Sequence, residues 1–300
     1  MSEDPGTCLT DATRVSPLLT LPVHQALSKA AAEGQPALEC SVDLDKTRST
    51  LQVNDATAWS CNGVVYPFLE TCKERTIYYW ATDRFLPVSR FTTSLIKLVP
   101  TGWGPPTFEI DGIKMLPTLH VSPYADAQNK VGLIRPRGKT VLDTCGGLGY
   151  FAANCLDGGA ARVISFETNP DVLWLREINP WSPKAHPALE LTLGDVAREI
   201  QSLPSESCDS VLHDPPRFGI AGELYSQAFY DQLARVIRRG GLLFHYTGTP
   251  NRITSGRDVP NEVAERLRRA GFKTQLQGDG VLATRESRIG GNVRHARLGS

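Results

Sequence analysis

The 300-residue chain carries 32 Lys plus Arg against 32 Asp plus Glu, with 41% hydrophobic and 21% charged residues, a composition that buries one large core and a smaller one. The balanced charge gives no general pull toward a phosphate backbone and disfavours nucleic acid as a partner. No apolar run approaches the ~20 residues that span a bilayer, and the opening residues, with Glu3 and Asp4, lack a basic leader, so no membrane association is expected and a cytoplasmic location is.

In chain order, residues 1–20 read as a polar tail. Val23, Ala26, Leu27 and Ala30 have helical spacing, and Gly34 stops that helix. From Ala37 to Thr118 the pattern changes to short runs broken by turns, at Leu38 to Val42, Ser49 to Val53, Gly63 to Pro67, Thr76 to Trp80 and Ser94 to Val99, which predicts a small antiparallel β domain. Phe108 to Leu116 pairs two strands around Asp111-Gly112. Beyond Gly138 strands alternate with helices, predicting a parallel sheet with crossover helices on both faces. Asn169-Pro170 and Asp195 supply helix starts. Leu189 to Leu193 and Cys208 to His213 are strands, and a helix from about Glu223 to Arg238 is closed by Gly240-Gly241. Leu242 to Tyr246 is the fifth strand, a helix runs from about Val259 to Ala270, and Phe272 to Gln277 with Gly280 to Thr284 forms a terminal hairpin.

Two motifs carry chemistry. Val141 and Leu142 form a short strand ending on Asp143, after which Gly146, Gly147 and Gly149 let the backbone turn tightly and approach a ligand. Glu167 ends the next apolar run, about 20 residues downstream, where a carboxylate accepts both hydroxyls of a ribose. Gly147-Leu-Gly149-Tyr-Phe-Ala152 also fits the dinucleotide fingerprint in its final-alanine form, so a nicotinamide cofactor competes for this loop. Asp143 decides between them: it repels a pyrophosphate, whereas S-adenosyl-L-methionine brings an ammonium and a sulfonium here. The second motif begins with Asp214, which follows the apolar run Ser210 to Leu212 and so stands at the carboxyl end of a parallel strand. Pro215 and Pro216 stiffen the backbone and leave carbonyls without competing amide donors, which together with a carboxylate makes a receptor for an amine. The plainer alternative is a Pro-rich turn capping a strand.

With these motifs the chain resembles the class I S-adenosylmethionine-dependent methyltransferases. The resemblance assigns Asp143, Cys145, Gly146, Gly147 and Gly149 to the cofactor loop, Glu167, Thr168 and Asn169 to the ribose side, and Gly194 and Asp195 to the adenine. Asp214-Pro-Pro-Arg217 is similar to their Asp/Asn-Pro-Pro-aromatic motif, with Asp214 and Pro215 bordering the cofactor; Arg217 departs from the Tyr or Phe that base and glutamine N-methyltransferases carry there. A closer likeness is to the uncharacterised, mostly archaeal methyltransferase-like proteins related to spermidine synthase. Phe108-Glu-Ile-Asp-Gly-Ile-Lys-Met115 looks like the strand-turn-strand segment that precedes the cofactor domain of the polyamine aminopropyltransferases, and Asn179-Pro-Trp-Ser182 and Ala221-Gly-Glu-Leu-Tyr-Ser226 look like marks of the uncharacterised group. The fold implied is α/β: a Rossmann-like seven-stranded methyltransferase sheet over 137–288, preceded by a helix and small antiparallel β domain over 21–136, with tails at 1–20 and 289–300.

Methyl transfer needs alignment and an acceptor that has lost its proton. Asp214 is the first candidate to orient an acceptor amine and receive that proton. His213 adjoins it, but successive strand residues point to opposite faces, so His213 reads as a packed histidine. His245 either faces the same pocket as a general base or is a satisfied histidine at a strand end. Tyr225 completes the catalytic candidates, with Tyr246 as a second pocket wall. Arg217 either pairs with a substrate carboxylate in forked geometry or neutralises Glu223. Tyr124, Asp126 and Lys130 are rim contacts by analogy with the aminopropyltransferases, Tyr124, Tyr246 and Arg217 being the substrate-binding set.

The expected acceptor is a small molecule or a protein, and the edges of the β domain offer a surface through which a homodimer would form. Aminopropyl transfer of the spermidine synthase type, from decarboxylated S-adenosylmethionine, is the alternative. Leu148 stands where such enzymes carry an acid that excludes the cofactor carboxylate, and no clustered acids are evident near Asp214. A third reading, a scaffold without catalysis, is opposed by the presence of Asp143, Gly147, Gly149, Glu167, Asp195 and Asp214. Arg266, Arg268 and Arg269 read as a solvated helix face. Seven cysteines without a CxxC pair argue against a disulfide framework and against zinc, so no metal is expected. Cys145 lies inside the cofactor loop, where alkylation would block binding.

Overall fold

The computed structural model describes residues 16–217, 219, 221–248 and 258–287. Cys8, the C-terminal tail and most of the N-terminal tail lie outside them. The chain divides into two compact units between Pro123 and Tyr124.

In the first unit every strand pairing is antiparallel among the described residues. Ala37–Cys40, Ser49–Val53, Ala58–Cys61 and Val64–Pro67 make a meander; Leu18–Leu19 joins the hairpin Tyr78–Ala81 and Arg84–Pro87; Ser89–Phe91, Leu95–Val99, Thr107–Ile110 and Ile113–Lys114 make a third sheet. Asp111 (φ 49°) and Gly112 (φ 79°) form the expected hairpin turn, both in the left-handed region. The helix is Leu21–Ala32. Strands Ala58–Cys61, Arg84–Pro87 and Ser89–Phe91 were not anticipated, because three or four residues hold too little periodicity to register. Trp59 anchors the core, fully buried, its ring centroid 4.8 Å from Tyr66 and 6.3 Å from Phe85.

The second unit is the expected α/β fold. Its strands are β1 (Thr140–Asp143), β2 (Arg162–Glu167), β3 (Leu189–Leu193), β4 (Cys208–His213), β5 (Ile237–Tyr246), β6 (Phe272–Gln277) and β7 (Gly280–Arg285), and its helices are α1 (Pro123–Ile134), α2 (Tyr150–Asp157), α3 (Pro170–Ile178), α4 (Val196–Glu199), α5 (Gln227–Val236) and α6 (Val259–Arg269). The strands form one sheet in the order β3-β2-β1-β4-β5-β7-β6, parallel from β3 to β5, with β7 antiparallel to both neighbours. Register puts Leu142, Ile164, Val211 and Leu243 on one face and Val141, Val163, Leu212 and Phe244 on the other, all buried, as a sheet covered on both sides requires. The order reverses between β1 and β4, so the ends of those two strands border the crevice where open α/β sheets keep ligands.

Two local expectations are corrected. Helix α1, which carries Asp126 and Lys130, had no counterpart in the sequence pattern. Gly240-Gly241 does not close a helix. The helix ends at Val236 and β5 starts at once, with a bulge: Cys208 pairs with Ile237 but Ser210 with Leu242. Gly240 (φ 76°) turns the bulge and a Cβ on Gly241 would lie 2.7 Å from the Asp209 carbonyl, which is why both are glycine. The expected start of that helix at about Glu223 is instead a 3₁₀ turn, Gly222–Tyr225, with the Ser226 hydroxyl accepting from Phe229 N to start α5.

Replacing Trp59 by Ala removes the largest buried side chain of the first unit and is expected to cost about 3–5 kcal/mol, read as a loss of denaturant midpoint.

Candidate active site

The glycine loop joins β1 to α2, with Gly149 (φ 80°) as the residue before the helix. Its glycines answer to the protein's own interior. A Cβ on Gly149 would lie 2.5 Å from Arg176 Cζ, and one on Gly146 2.5 Å from Ser165 Oγ and 3.2 Å from Arg176 Nη1. The Arg176 guanidinium, from α3, is thus packed against the loop, 5% exposed, and both terminal nitrogens lack a hydrogen-bond partner. It stands near Asp143 and Glu167, whose charges partly offset its desolvation. Sequence could have flagged it: Val172 and Arg176 are four apart on the buried face of α3. The loop is also latched from outside. Asn179 Nδ2 donates to Tyr150 Oη (3.0 Å) and to Ser182 Oγ (2.9 Å), and Ser182 Oγ donates to the Leu148 carbonyl (2.7 Å). The Asn-Pro-Trp-Ser run, a family mark in the sequence, is therefore a brace for the loop.

The acids at the strand ends are prepared in different ways. Glu167 Oε2 accepts from Gly147 N and Oε1 from Asn169 N, each at 2.9 Å, leaving further lone pairs for a diol. Asp143 is 1% exposed; Oδ2 accepts from Ser165 Oγ (2.9 Å), while Oδ1 is buried with no partner. Burial pushes the Asp143 carboxyl up to about 6. An orphaned carboxylate oxygen beneath a glycine loop suits a cationic ligand group, so the residues fit S-adenosylmethionine. Asn169 and Asp195 cap helices, accepting from Asp171 N and Ala197 N. The Gly194 amide donates to the Glu167 carbonyl, and Thr168 is exposed at the same edge. Burial, with Asp143, Glu167 and Asp214 nearby, raises the Cys145 thiol well above its usual range.

Asp214 directly follows His213, the last residue of β4, and stands close enough to Asp143 for the two carboxylates to act on each other. Around it the fold assembles a charged cage that the sequence did not suggest. Lys130 Nζ is 2.8 Å from Asp126 Oδ2, 3.8 Å from Asp214 Oδ2 and 3.8 Å from the centroid of the Tyr246 ring. Asp279, from the β6–β7 turn, adds a third carboxylate. Lys130 is a buried cation, not a rim contact, and acids do cluster near Asp214. Burial pushes Asp214 up to about 6 against the pull of Lys130, yet its side chain keeps 20% exposure. Beside Asp279 a cavity of about 310 Å³ opens, lined by Thr247, Gly248, Asp258, Asn261 and Leu276.

His245 and Tyr225 do not join this pocket. His213 and His245 are register partners on the opposite face, their rings 4.4 Å apart, 1% and 0% exposed. His213 Nε2 donates to the Leu224 carbonyl (3.0 Å), so Nδ1 accepts from Thr144 Oγ1 (2.7 Å); His245 Nδ1 donates to the Tyr246 carbonyl (2.9 Å), so Nε2 accepts from Tyr230 Oη (2.9 Å). With both nitrogens committed, His245 is the satisfied histidine and not a general base. Tyr225 is buried and donates to the Pro216 carbonyl (3.1 Å), bracing the Asp-Pro-Pro turn. Pro215 is buried there and Arg217 exposed. Tyr124 bonds Asp157 and packs on Tyr150 and Trp181, apart from Tyr246.

Comparison with known proteins follows this geometry. The uncharacterized protein MJ1233 of Methanocaldococcus jannaschii is 43% identical over 217 residues, covering 71% of this chain and 74% of that one. The chain belongs to the family of that archaeal protein. No family model matches. Among solved structures, a spermidine synthase in complex with the transition-state analogue AdoDATO matches with a TM-score of 0.53 at 16% identity, over 66% of this chain and 72% of that one. A putative S-adenosylmethionine-dependent methyltransferase from Listeria monocytogenes matches at 0.43 and 12%, over 54% and 100%. The fold is that of the spermidine synthase. No described helix is long and apolar enough to cross a membrane, and no described group of side chains could hold a metal ion.

Gly149→Ala is expected to destabilise the protein by at least about 1–2 kcal/mol, from the strained φ and the displaced guanidinium, with thermal melting as the measurement. Stability should also respond to the buried histidines. Burial lowers His213 to about 4, below its unfolded value near 6.5, so its contribution is present above about pH 6.5 and is lost as pH falls toward 4. Asp143 and Asp214, raised to about 6, act with the opposite sign, their stabilising effect fading as pH rises through 6. Denaturant midpoints between pH 6.5 and 4 should therefore fall more steeply in the wild type than in His213→Asn.

Proposed function

We propose that the protein is an S-adenosylmethionine-dependent methyltransferase that methylates an amine-bearing acceptor oriented by Asp214. The observation that carries this reading is the placement of Asp143 and Asp214 at the strand-order reversal, one with a buried oxygen left for a cation and the other partly open to solvent. Asp143 would hold the ammonium of the cofactor, Glu167 the ribose hydroxyls, and the braced loop its methionine portion. S-adenosylmethionine supplies an electrophilic methyl group on a sulfonium. The chain's own work is to bind, align and deprotonate. Asp214, with a carboxyl near pH 6 and a partly exposed side chain, orients the acceptor nitrogen and takes its proton. The acceptor, a small molecule or a protein side chain, would enter from the cavity beside Asp279.

One observation favours a second reading. The acids Asp126, Asp214 and Asp279 form the kind of anionic pocket that aminopropyl transfer to a polyamine requires, so transfer from decarboxylated S-adenosylmethionine is the alternative. Against it, Leu148 brings no charge to exclude a cofactor carboxylate.

Calorimetric titration with each cofactor form separates the two. S-adenosylmethionine is expected to bind at least ten-fold more tightly than the decarboxylated form; the reverse preference overturns methyl transfer. With methyl-labelled cofactor and a panel of amines, Asp214→Asn should retain cofactor binding while transfer falls on the order of 10²–10⁴-fold.

A further inference from the structure

Among the described residues, no hydrogen-bond donor reaches the Asp214 carboxylate, and Lys130 is the one cation within 4.0 Å of it. Every other described titratable group that faces it is anionic when ionised: Asp126 from α1, Asp143 and Cys145 from β1 and its loop, Tyr246 from β5 and Asp279 from the β6–β7 turn. A carboxylate so surrounded would take up a proton and swing away from its neighbours unless a cation held it. Lys130 is built to be that cation. Its side chain is 5% exposed, Asp126 one turn earlier on α1 fixes its ammonium at 2.8 Å, and the Tyr246 ring closes the third side at 3.8 Å.

We infer that Lys130 is the positioning residue of the acceptor site, a tethered ammonium that fixes the direction of the Asp214 carboxylate and keeps it ionised while the rest of that carboxylate faces the incoming acceptor. This rests on the methyltransferase reading for its functional meaning, since a proton-accepting Asp214 has to be charged before the acceptor arrives. Aspartate and glutamate, not lysine, would ordinarily be sought around an amine-binding carboxylate. A lysine there makes sense if the pocket carries more negative charge than a single acceptor ammonium can balance, because with Asp126, Asp214 and Asp279 ionised the cage around Lys130 retains a net negative charge. An acceptor cation then lowers the remaining negative charge without having to displace the lysine.

The test follows the carboxylate directly. Full-length protein is labelled with ¹³C at the aspartate carboxyl carbons, and Asp214→Asn assigns the signal. Lys130→Met is expected to raise the Asp214 midpoint by about one pH unit or more, a ten-fold drop in the ratio of its ionised to its protonated form at a given pH; Lys130→Arg should keep it at the wild-type value. An Asp214 midpoint that stays at the wild-type value in Lys130→Met overturns the inference. If Lys130→Met fails to fold by thermal melting, Lys130→Gln decides: an unmoved midpoint overturns the inference, a raised one supports it. Titration of the same wild-type protein with S-adenosylmethionine is read separately, so absent cofactor binding would sink the methyltransferase reading without touching the electrostatic result.

Discussion

Parallel strands deliver like charges to one edge. Glu167, Asp143 and Asp214 stand at or just beyond the ends of β2, β1 and β4, three neighbours in the sheet, in surroundings too dry to screen them well. Two such charges 4 Å apart interact by about 4 kcal/mol at an effective dielectric constant of 20, comparable with a large part of a domain's net stability. The fold answers with two buried cations, Arg176 near the first two acids and Lys130 against the third. Desolvation still wins at Asp143 and Asp214, both raised to about 6 despite these partners. The protein thus holds its key acids at the border of ionisation, in a state that a further cation would complete.

The same edge is made rigid by groups with no part in binding. Asn179 and Ser182 hold the glycine loop from one side, Thr144 and His213 tie the end of β1 to that of β4, and Tyr225 supports the carbonyl of Pro216. Each replaces loop freedom with a hydrogen bond to a buried partner, so the geometry of the edge is fixed before any ligand arrives. The buried histidine pair belongs to this scaffold: its neutrality is what permits two imidazoles to meet edge to face at 4.4 Å in the core.

Most of this fold could be read from the chain because alternation of strands and helices, caps at Asn169 and Asp195 and the turn at Asp111-Gly112 are local signals. The strand-end acids were legible for the same reason. What escaped was long-range. Asp126, Lys130, Asp214 and Asp279 are brought together from a helix, a strand end and a hairpin turn, and no spacing in the sequence announces that meeting. His245 was ambiguous from sequence since facing depends on register, and register with β4 put it on the side away from Asp214. Gly240-Gly241 resembled a helix stop because a bulge and a C-cap call for the same left-handed glycine.

The contact between Gly149 and Arg176 ties two positions, one in the glycine loop and one on α3, into a single choice. A β-carbon on Gly149 would lie 2.5 Å from Arg176 Cζ, so a larger residue there displaces the guanidinium that faces Asp143 and Glu167. In this lineage the glycines of the loop are partners of an arginine as much as marks of a nucleoside, and the two positions are expected to change together.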